Sequence, residues 1–146
     1  MSNLTITLGD WPALASGLQA VRRAVRRAVF VVEQGIPEHL EWDEHDAVSV
    51  HALALIERRA IGCGRLLPDG HIGRMAVLSQ MRGQGVGAAL LDALVDEARR
   101  RGMRVLQLHA QLHASGFYAR SGFVAEGPAF DEVGIPHQRM VRMLAS

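Results

Sequence analysis

Residues 72–91, IGRMAVLSQMRGQGVGAALL, constrain this chain more than any other stretch. An apolar segment leads into a short polar loop, then into Gly83, Gly85 and Gly87, and then into a helical pattern. Glycine allows positive φ angles and lets a ligand approach the main chain closely. The N–H groups that begin the following helix form an anion site, and phosphate is its usual guest. The stretch therefore predicts a strand, a pyrophosphate-binding loop and a helix.

Two familiar phosphate-binding loops fit this stretch poorly. A Walker loop requires a lysine after its second glycine, and this chain contains no lysine. The dinucleotide fingerprint G-x-G-x-x-G/A matches Gly83, Gly85 and Ala88, but it needs an acidic residue about 20 positions further on. That place is LQLH at 106–109, which holds no acid. A third pattern, Arg-x-x-Gly-x-Gly, fits the sequence from Arg82 onward.

The composition favours a soluble globular protein with one domain over residues 1–146. Apolar residues make up 49% and charged residues 21%, and the formal net charge of +1 gives no strong attraction to nucleic acid. A single cysteine, Cys63, excludes an intramolecular disulfide and fits a reducing compartment. We see no signal peptide and no apolar run of roughly 20 residues, so we expect a cytoplasmic protein.

Hydrophobic periodicity predicts an α/β (α+β) domain with a mixed, mostly antiparallel sheet of about seven strands and about four helices. A long first helix is expected over 12–33, because apolar residues recur there at spacings of three or four: Leu14, Leu18, Val21, Val25, Ala28, Val29 and Val32. Its basic face, formed by 22–27, is expected in solvent. Binding of nucleic acid by that face is an alternative, but the acidic loop over 35–47 argues against it. A second loop is expected at 127–136. The strands are expected at 4–8, 48–56, 60–67, 72–78, 105–110, 123–126 and 137–144.

A second motif follows the glycines: Tyr118-Ala-Arg-Ser-Gly-Phe123, a Y-x-x-x-G-F segment. The Arg-x-x-Gly-x-Gly loop followed by this segment resembles the GNAT N-acetyltransferase superfamily, in which the loop holds the pyrophosphate of acetyl-CoA. Four further features are similar to the ElaA- and YjcF-like bacterial branch: VFVVEQ at 29–34, the series Asp43, Asp46 and His51, HAQ at 109–111 and GIPHQRM at 134–140. The resemblance covers about residues 20–144.

The resemblance implies that acetyl-CoA is the acyl-donor substrate. A backbone N–H near Ala76 or Val77, on a strand splayed from its neighbour, would donate to the thioester carbonyl. Gln111 stands where many relatives have an Asn that contacts the pantetheine arm. The cofactor-binding residues expected by resemblance are Met75, Ala76, Val77, Arg82, Gly83, Gln84, Gly85, Val86, Gly87, Ala88, Gln111 and Tyr118.

Acetyl transfer to an amine also requires proton chemistry. The resemblance places Tyr118 near the coenzyme sulfur, where its phenol, with an ordinary pKa near 10, would protonate the departing thiolate. Glu33 is the predicted general base, because an aliphatic amine must lose a proton before it attacks. Each has a structural alternative: core packing for Tyr118 and a surface position for Glu33. The predicted acceptor-binding residues are Glu33, Gln34, Asp46, His51 and His137.

The predicted function is direct acetyl transfer from acetyl-CoA to a primary amine of a small molecule or peptide. The alternative is a non-catalytic acyl-CoA-binding or protein-interaction module. No metal site is expected, because the chain has no H-E-x-x-H segment and no paired cysteines. The expected partner is the acceptor, without nucleic acid or membrane. A homodimer formed through a terminal edge strand stays open.

Overall fold

The computed structural model describes residues 4–10, 23–36 and 44–144. Within them the chain forms an eight-stranded sheet and three helices besides short 3-10 turns, which confirms the predicted α+β fold. The first half of the predicted helix 12–33 and the acidic loop around Asp43 lie outside the described residues. The strands are β1 Leu4–Asp10, β2 Val50–Ile56, β3 Arg59–Leu66, β4 His71–Val77, β5 Val105–Gln111, β6 Val124–Ala125, β7 Phe130–Glu132 and β8 Ile135–Met143.

Neighbouring strands follow the order β1-β2-β3-β4-β5-β8-β6, and β7 also pairs with β8. Only β4 and β5 are parallel, as expected where a helix connects two strands. Strand β7 lies within 127–136, where the sequence predicted a loop. The strand forms because a turn at Val133 and Gly134 folds these residues onto β8. The N-terminal strand β1 is at the sheet edge, whereas the C-terminal strand β8 lies inside the sheet.

The helices are α1 over 23–33, α2 Val86–Arg100 and α3 Ser115–Arg120. The last part of α1, Arg27–Glu33, is a π-helix, whose wider turns rotate side chains relative to an α-helix. Val25 and Val29 are buried as the predicted apolar face requires, and Phe30, which the sequence did not place on that face, is buried as well. Val32, predicted on the same face, is instead 66% exposed, because the π-helical turns carry it away from the sheet.

The two longer helices pack on opposite faces of the sheet. Helix α2 buries an apolar stripe that includes Leu90 and Leu94 in one cluster with Ala52 and Ala54 of β2. Helix α1 buries Val25, Val29 and Phe30 in a second cluster with Leu53, which lies between those two alanines. Successive residues of a strand point to opposite faces, so β2 is covered on both sides. The sheet is therefore the middle layer of a three-layer arrangement.

Strands β4 and β5 pair only at their beginnings, and the pairing ends at Ile72 and Leu108. Strand β4 then continues to Val77 and β5 to Gln111, and these described segments diverge. A bulge in β4 accompanies the divergence, since Arg74 has a φ of 52° where the register against β3 shifts. The two strands form a V-shaped opening, which is the splay predicted for the strand before the glycine loop.

Candidate active site

The opening between β4 and β5 leads into a cleft of about 1100 Å³. Its walls come from α1, from the glycine loop over 82–87, from α3 and from the β7–β8 hairpin. Ligand sites commonly span roughly 300–1,000 Å³, so this cleft can enclose most of a coenzyme-sized molecule. The predicted cofactor and acceptor residues all line the cleft except Gln84, Asp46 and His51.

Gly83 and Gly85 adopt the left-handed backbone that the sequence pattern predicts, with φ angles of 77° and 84°. A Cβ added at either position would meet nothing within 4 Å, so backbone geometry demands these glycines and the loop surface stays open. Gly85 also caps α2, whose first residues, 86–88, line the cleft. The first N–H groups of a helix have no partner within it, so the loop and helix start provide a main-chain anion site.

Arg82 connects the glycine loop to the end of α1. Its Nη1 and Nη2 donate to the two carboxylate oxygens of Glu33 at 2.7 and 2.8 Å, and its Nε donates to the carbonyl oxygen of Val77 at 2.9 Å. The hydrogen bond from Arg82 lowers the pKa of Glu33 below its ordinary value of 4.5. A carboxylate held in this way is a weaker proton acceptor, so its surroundings do not favour the predicted role of Glu33 as base.

The edge of β4 inside the opening presents main-chain groups to the cleft. Leu78 donates its N–H to the carbonyl oxygen of Ile61 on β3 at 2.9 Å, and Gly62 is the ladder partner of Val77. Successive N–H groups point to alternate edges of a strand, so the N–H of Val77 points into the opening. Of the two donors predicted from the sequence, Ala76 and Val77, this alternation favours Val77.

Tyr118 lies on the cleft wall, with its ring centroid 5.0 Å from that of Phe117 and 6.1 Å from that of Phe123. Burial raises the pKa of its phenol to about 12, so the phenol keeps its proton at neutral pH. The close approach of α3 to the glycine loop depends on Gly87, where a Cβ would lie 3.2 Å from the Phe117 ring. Tyr118 is thus a protonated phenol on the wall of the cleft.

Two residues that were predicted to bind substrates, Gln34 and Gln111, form hydrogen bonds with each other. The Nε2 of Gln34 donates to Oε1 of Gln111 at 3.0 Å, and the reciprocal bond measures 2.8 Å. The pair connects the C-terminal end of α1 with the C-terminal end of β5, and both side chains line the cleft. A pantetheine arm that used the Gln111 amide would therefore replace one of these two hydrogen bonds.

Two histidines, each paired with a carboxylate, line the cleft near the point where β4 and β5 meet. His71 Nδ1 lies 2.9 Å from Asp69 Oδ1, and His109 Nδ1 lies 3.0 Å from Glu132 Oε1. The two imidazole rings meet edge to face, with centroids 6.4 Å apart. His137, which was predicted to bind the acceptor substrate, belongs to the same group because its Nε2 lies 3.5 Å from Glu132 Oε2.

Asp46 and His51 were also predicted to bind the acceptor substrate, but they lie outside the cleft in a buried cluster. Asp46 Oδ1 accepts from Arg26 at 2.7 Å and from Arg65 at 3.1 Å, and His51 Nε2 lies 2.7 Å from the Asp46 carbonyl oxygen. Arg26 corrects the prediction of a wholly solvated basic face: its side chain is buried because it forms an ion pair with Asp46. Arg23 is exposed, as predicted.

The family model described as an acetyltransferase (GNAT) domain matches residues 18–144. The chain belongs to the GNAT acetyltransferase family. It is 35% identical over 122 residues to the uncharacterized N-acetyltransferase YjcF of Bacillus subtilis (strain 168), covering 81% of this chain and 87% of YjcF.

Two crystal structures share this GNAT fold. An acyl-CoA N-acyltransferase from Pseudomonas aeruginosa superposes with a TM-score of 0.86 at 33% identity, covering 95% of this chain and 99% of that one. ElaA of Escherichia coli gives a TM-score of 0.86 at 27% identity with the same coverage. The predicted resemblance to the ElaA- and YjcF-like branch is confirmed.

Sequence reasoning missed part of the cleft of this GNAT protein. Asp69, His71, His109 and Glu132 were not predicted to bind an acceptor. One signal was present, because His109 and Gln111 are two apart in a strand and so share a face. The partner of His109 comes from β7, which the sequence did not predict, so the pairing itself could not be foreseen.

The described residues of this GNAT domain contain neither a cluster for a metal ion nor a helix that could span a membrane. Among the residues described, no group of three or more His, Cys, Asp or Glu side chains is arranged to hold a metal ion. No helix in the described part of the chain is long and apolar enough to cross a membrane.

Proposed function

We propose that this GNAT family member transfers the acetyl group of acetyl-CoA directly to a primary amine. The supporting observation is the meeting, in one cleft, of a glycine loop at the start of a helix, an open strand edge and a phenol that keeps its proton. The description of the Pseudomonas aeruginosa structure as an acyl-CoA N-acyltransferase supports an acyl-CoA donor. The acceptor would be a small molecule or a peptide that carries a primary amine.

The donor would bind by its pyrophosphate and extend along β4. The main-chain N–H groups of the glycine loop and of the start of α2 would hold the pyrophosphate, with Arg82 beside them. The pantetheine arm would lie against the open edge of β4, where the N–H of Val77 donates to a carbonyl of the arm or of the thioester. The N–H of Val77 already points into the opening, so that hydrogen bond needs no rearrangement of β4.

In the chemical step, the amine nitrogen attacks the carbonyl carbon of the thioester. Negative charge develops on the carbonyl oxygen and is stabilised by main-chain donors of β4. The carbon–sulfur bond then breaks, and its electron pair leaves on the sulfur. With a pKa of about 12, Tyr118 is a weaker acid than a thiol, so its contribution is a hydrogen bond to the forming thiolate. The proton lost by the amine balances the reaction by neutralising the thiolate.

The test combines ligand-dependent unfolding with product detection. Acetyl-CoA at 100 times its Kd would add roughly 2.7 kcal/mol, a rise on the order of 5–10 °C for a domain of this size, while NADH serves as control. A panel of amines, from diamines to short peptides, is then assayed for free thiol and for the acetylated product by mass spectrometry. Stabilisation with acetylated product supports the proposal. Stabilisation without product from any amine would favour a non-catalytic acyl-CoA-binding module.

A further inference from the structure

The pairing of His109 with Glu132 has no local cause. Asp69 and His71 are two residues apart in a turn, and Asp69 also accepts the backbone N–H of His71 at 3.1 Å, so turn formation explains that pair. His109 and Glu132 are 23 residues apart and come from different strands. Their hydrogen bond therefore requires the β7–β8 hairpin to be folded over β5.

Glu132 is fixed from both sides. One oxygen, Oε1, faces His109 Nδ1 at 3.0 Å, and the other, Oε2, faces His137 Nε2 at 3.5 Å. His137 is itself held, because its Nδ1 lies 2.7 Å from the carbonyl oxygen of Ile135 and its ring stacks on Phe130 at 6.1 Å. The Glu132 carboxylate is thus positioned by the hairpin that carries it.

This arrangement selects one tautomer of His109. An ionised carboxylate only accepts hydrogen bonds, so the Nδ1 facing Glu132 carries the proton. In a neutral imidazole the other nitrogen, Nε2, then has a free lone pair. The ring is held on two sides, by Phe130 at 5.0 Å and by His71 at 6.4 Å, both edge to face. A carboxylate that orients a histidine for proton transfer works in the same way in hydrolytic triads.

His109 also lies where an acceptor would meet the donor. The β4–β5 register ends at Ile72 and Leu108, so His109 is the first residue of β5 inside the opening. The glycine loop follows the other end of β4, roughly 20 Å from its first residue. A coenzyme that is anchored at the loop and extends along β4 points its thioester toward this part of the cleft.

We propose that His109, positioned by Glu132, accepts the proton that the acceptor amine loses, directly or through one water. This assignment rests on the proposed acetyl transfer. An ammonium group transfers one proton to Nε2 of His109, and the nitrogen lone pair so released forms the bond to the thioester carbon as the carbonyl π bond opens. When the carbon–sulfur bond breaks, the nitrogen loses a second proton, which neutralises the thiolate, and His109 releases the first proton to solvent. Nδ1 keeps its proton and donates it in the hydrogen bond to Glu132, so the carboxylate stabilises the imidazolium. His109 is the catalytic residue, and Glu132 is a positioning residue.

The charges around His109 favour a cationic acceptor. Its ladder partner on β8, Arg139, donates to Gln107 Oε1 at 2.9 Å and is paired with Glu126, so that cation is already neutralised. The carboxylates of Asp69 and Glu132 attract an ammonium group. The Glu33 carboxylate attracts it less, because Arg82 already neutralises its charge. The titratable and charged groups facing His109 from the neighbouring elements are Asp69, His71, Glu132, His137 and Arg139.

The experiment compares pH–rate profiles for acetylation of butane-1,4-diamine and of the rest of the amine panel. In the wild type, kcat should rise with pH along one limb, because the base must lose its own proton before it can accept one from the acceptor. His109→Gln should lower kcat on the order of 10²-fold and remove that limb, with the KM for acetyl-CoA unchanged. Glu132→Gln should lower kcat about tenfold and move the limb, since a base remains but is no longer oriented. His113→Gln, the same change at another exposed histidine that lines the cleft, should keep the limb.

The outcomes separate the two proposals. Acetylated product in the wild type with an unchanged limb in His109→Gln would overturn the assignment of His109 alone. Loss of the limb in Glu33→Gln instead would make Glu33 the base. If the wild type acetylates no amine although acetyl-CoA stabilises it, the proposed function fails and the base assignment falls with it. Long-range proton–nitrogen NMR gives a check without turnover: a neutral His109 imidazole that carries its proton on Nε2 in the wild type would also overturn the assignment.

Discussion

The guanidinium of Arg82 donates to both carboxylate oxygens of Glu33, which ties the residue predicted as base to the loop predicted to bind the coenzyme. Glu33→Gln removes a negative charge beside the pyrophosphate site and keeps the side-chain shape. We expect tighter binding of acetyl-CoA at low ionic strength, and we expect salt to reduce the gain by screening. Isothermal titration calorimetry at two salt concentrations measures the effect.

Glu97→Gln is the matched control for this change. Glu97 also accepts hydrogen bonds from two arginines, and its pKa is lowered most by Arg101 and next by Arg100. Unlike Glu33, it lies outside the cleft. Its loss should leave acetyl-CoA binding unchanged. The lowered pKa of Glu33 adds a pH effect: the stability it contributes is present above 4.5 and is lost as pH falls through the folded pKa. Weaker coenzyme binding by Glu33→Gln would contradict the prediction.

Tyr118 is the single tyrosine of the chain, so the absorbance of the phenolate reports its ionisation alone. We expect a titration midpoint of about 12 instead of 10. The folded pKa is above the unfolded one, so the stability that depends on the neutral phenol is complete below pH 10 and is lost as pH rises toward 12. Tyr118→Phe should therefore unfold at higher pH than the wild type. A midpoint of 10 in the folded protein would show that the phenol is solvated.

The same variant tests the role of Tyr118 in turnover. Phenylalanine keeps the ring that packs against Phe117 and Phe123, so the fold should be retained. Loss of the hydroxyl should lower kcat on the order of 10²-fold, with the Kd of acetyl-CoA within about twofold of the wild type. Equal turnover in both proteins would remove Tyr118 from the mechanism.

How far the sequence reached depends on the range of the interactions involved. The glycine loop could be predicted because Gly83 and Gly85 need positive φ angles, a demand that is local. Helix and strand periodicity is also local, and it gave the correct fold. The π-helical end of α1, which exposes Val32, could not be read from a periodicity that assumes an α-helix.

Interactions between distant residues were the part that the sequence could not supply. Arg26 and Asp46 are 20 residues apart, and the arginine was predicted in solvent because its helix neighbours are basic. His109 and Glu132 meet because of a three-residue strand with too short a pattern to recognise. A residue's partner decides its burial and its chemistry, and the partner follows from sheet register, which is not visible in composition or spacing.

The buried cluster around Asp46 predicts a large loss of stability on one substitution. Asp46→Asn removes the carboxylate that faces both Arg26 and Arg65 in the interior. Removal of one partner from a buried ion pair typically costs about 3–5 kcal/mol, and we expect a loss of that size in the free energy of unfolding by urea. Asp96→Asn breaks an exposed pair with Arg99 and should cost below about 1 kcal/mol. Similar losses in both variants would mean that the cluster is solvated.

Gly85 and Gly102 offer a matched pair that separates backbone strain from coenzyme binding. Both have a left-handed backbone, with φ of 84° and 77°, and at both a Cβ would meet nothing within 4 Å. Alanine should therefore cost each site a similar strain, about 1–2 kcal/mol in the free energy of unfolding. Gly85 caps the N-terminal end of α2 in the cleft, whereas Gly102 follows its other end, so only Gly85→Ala should weaken acetyl-CoA binding. Equal weakening in both variants would show that the loop acts through overall stability, and unchanged binding in Gly85→Ala would place the pyrophosphate elsewhere.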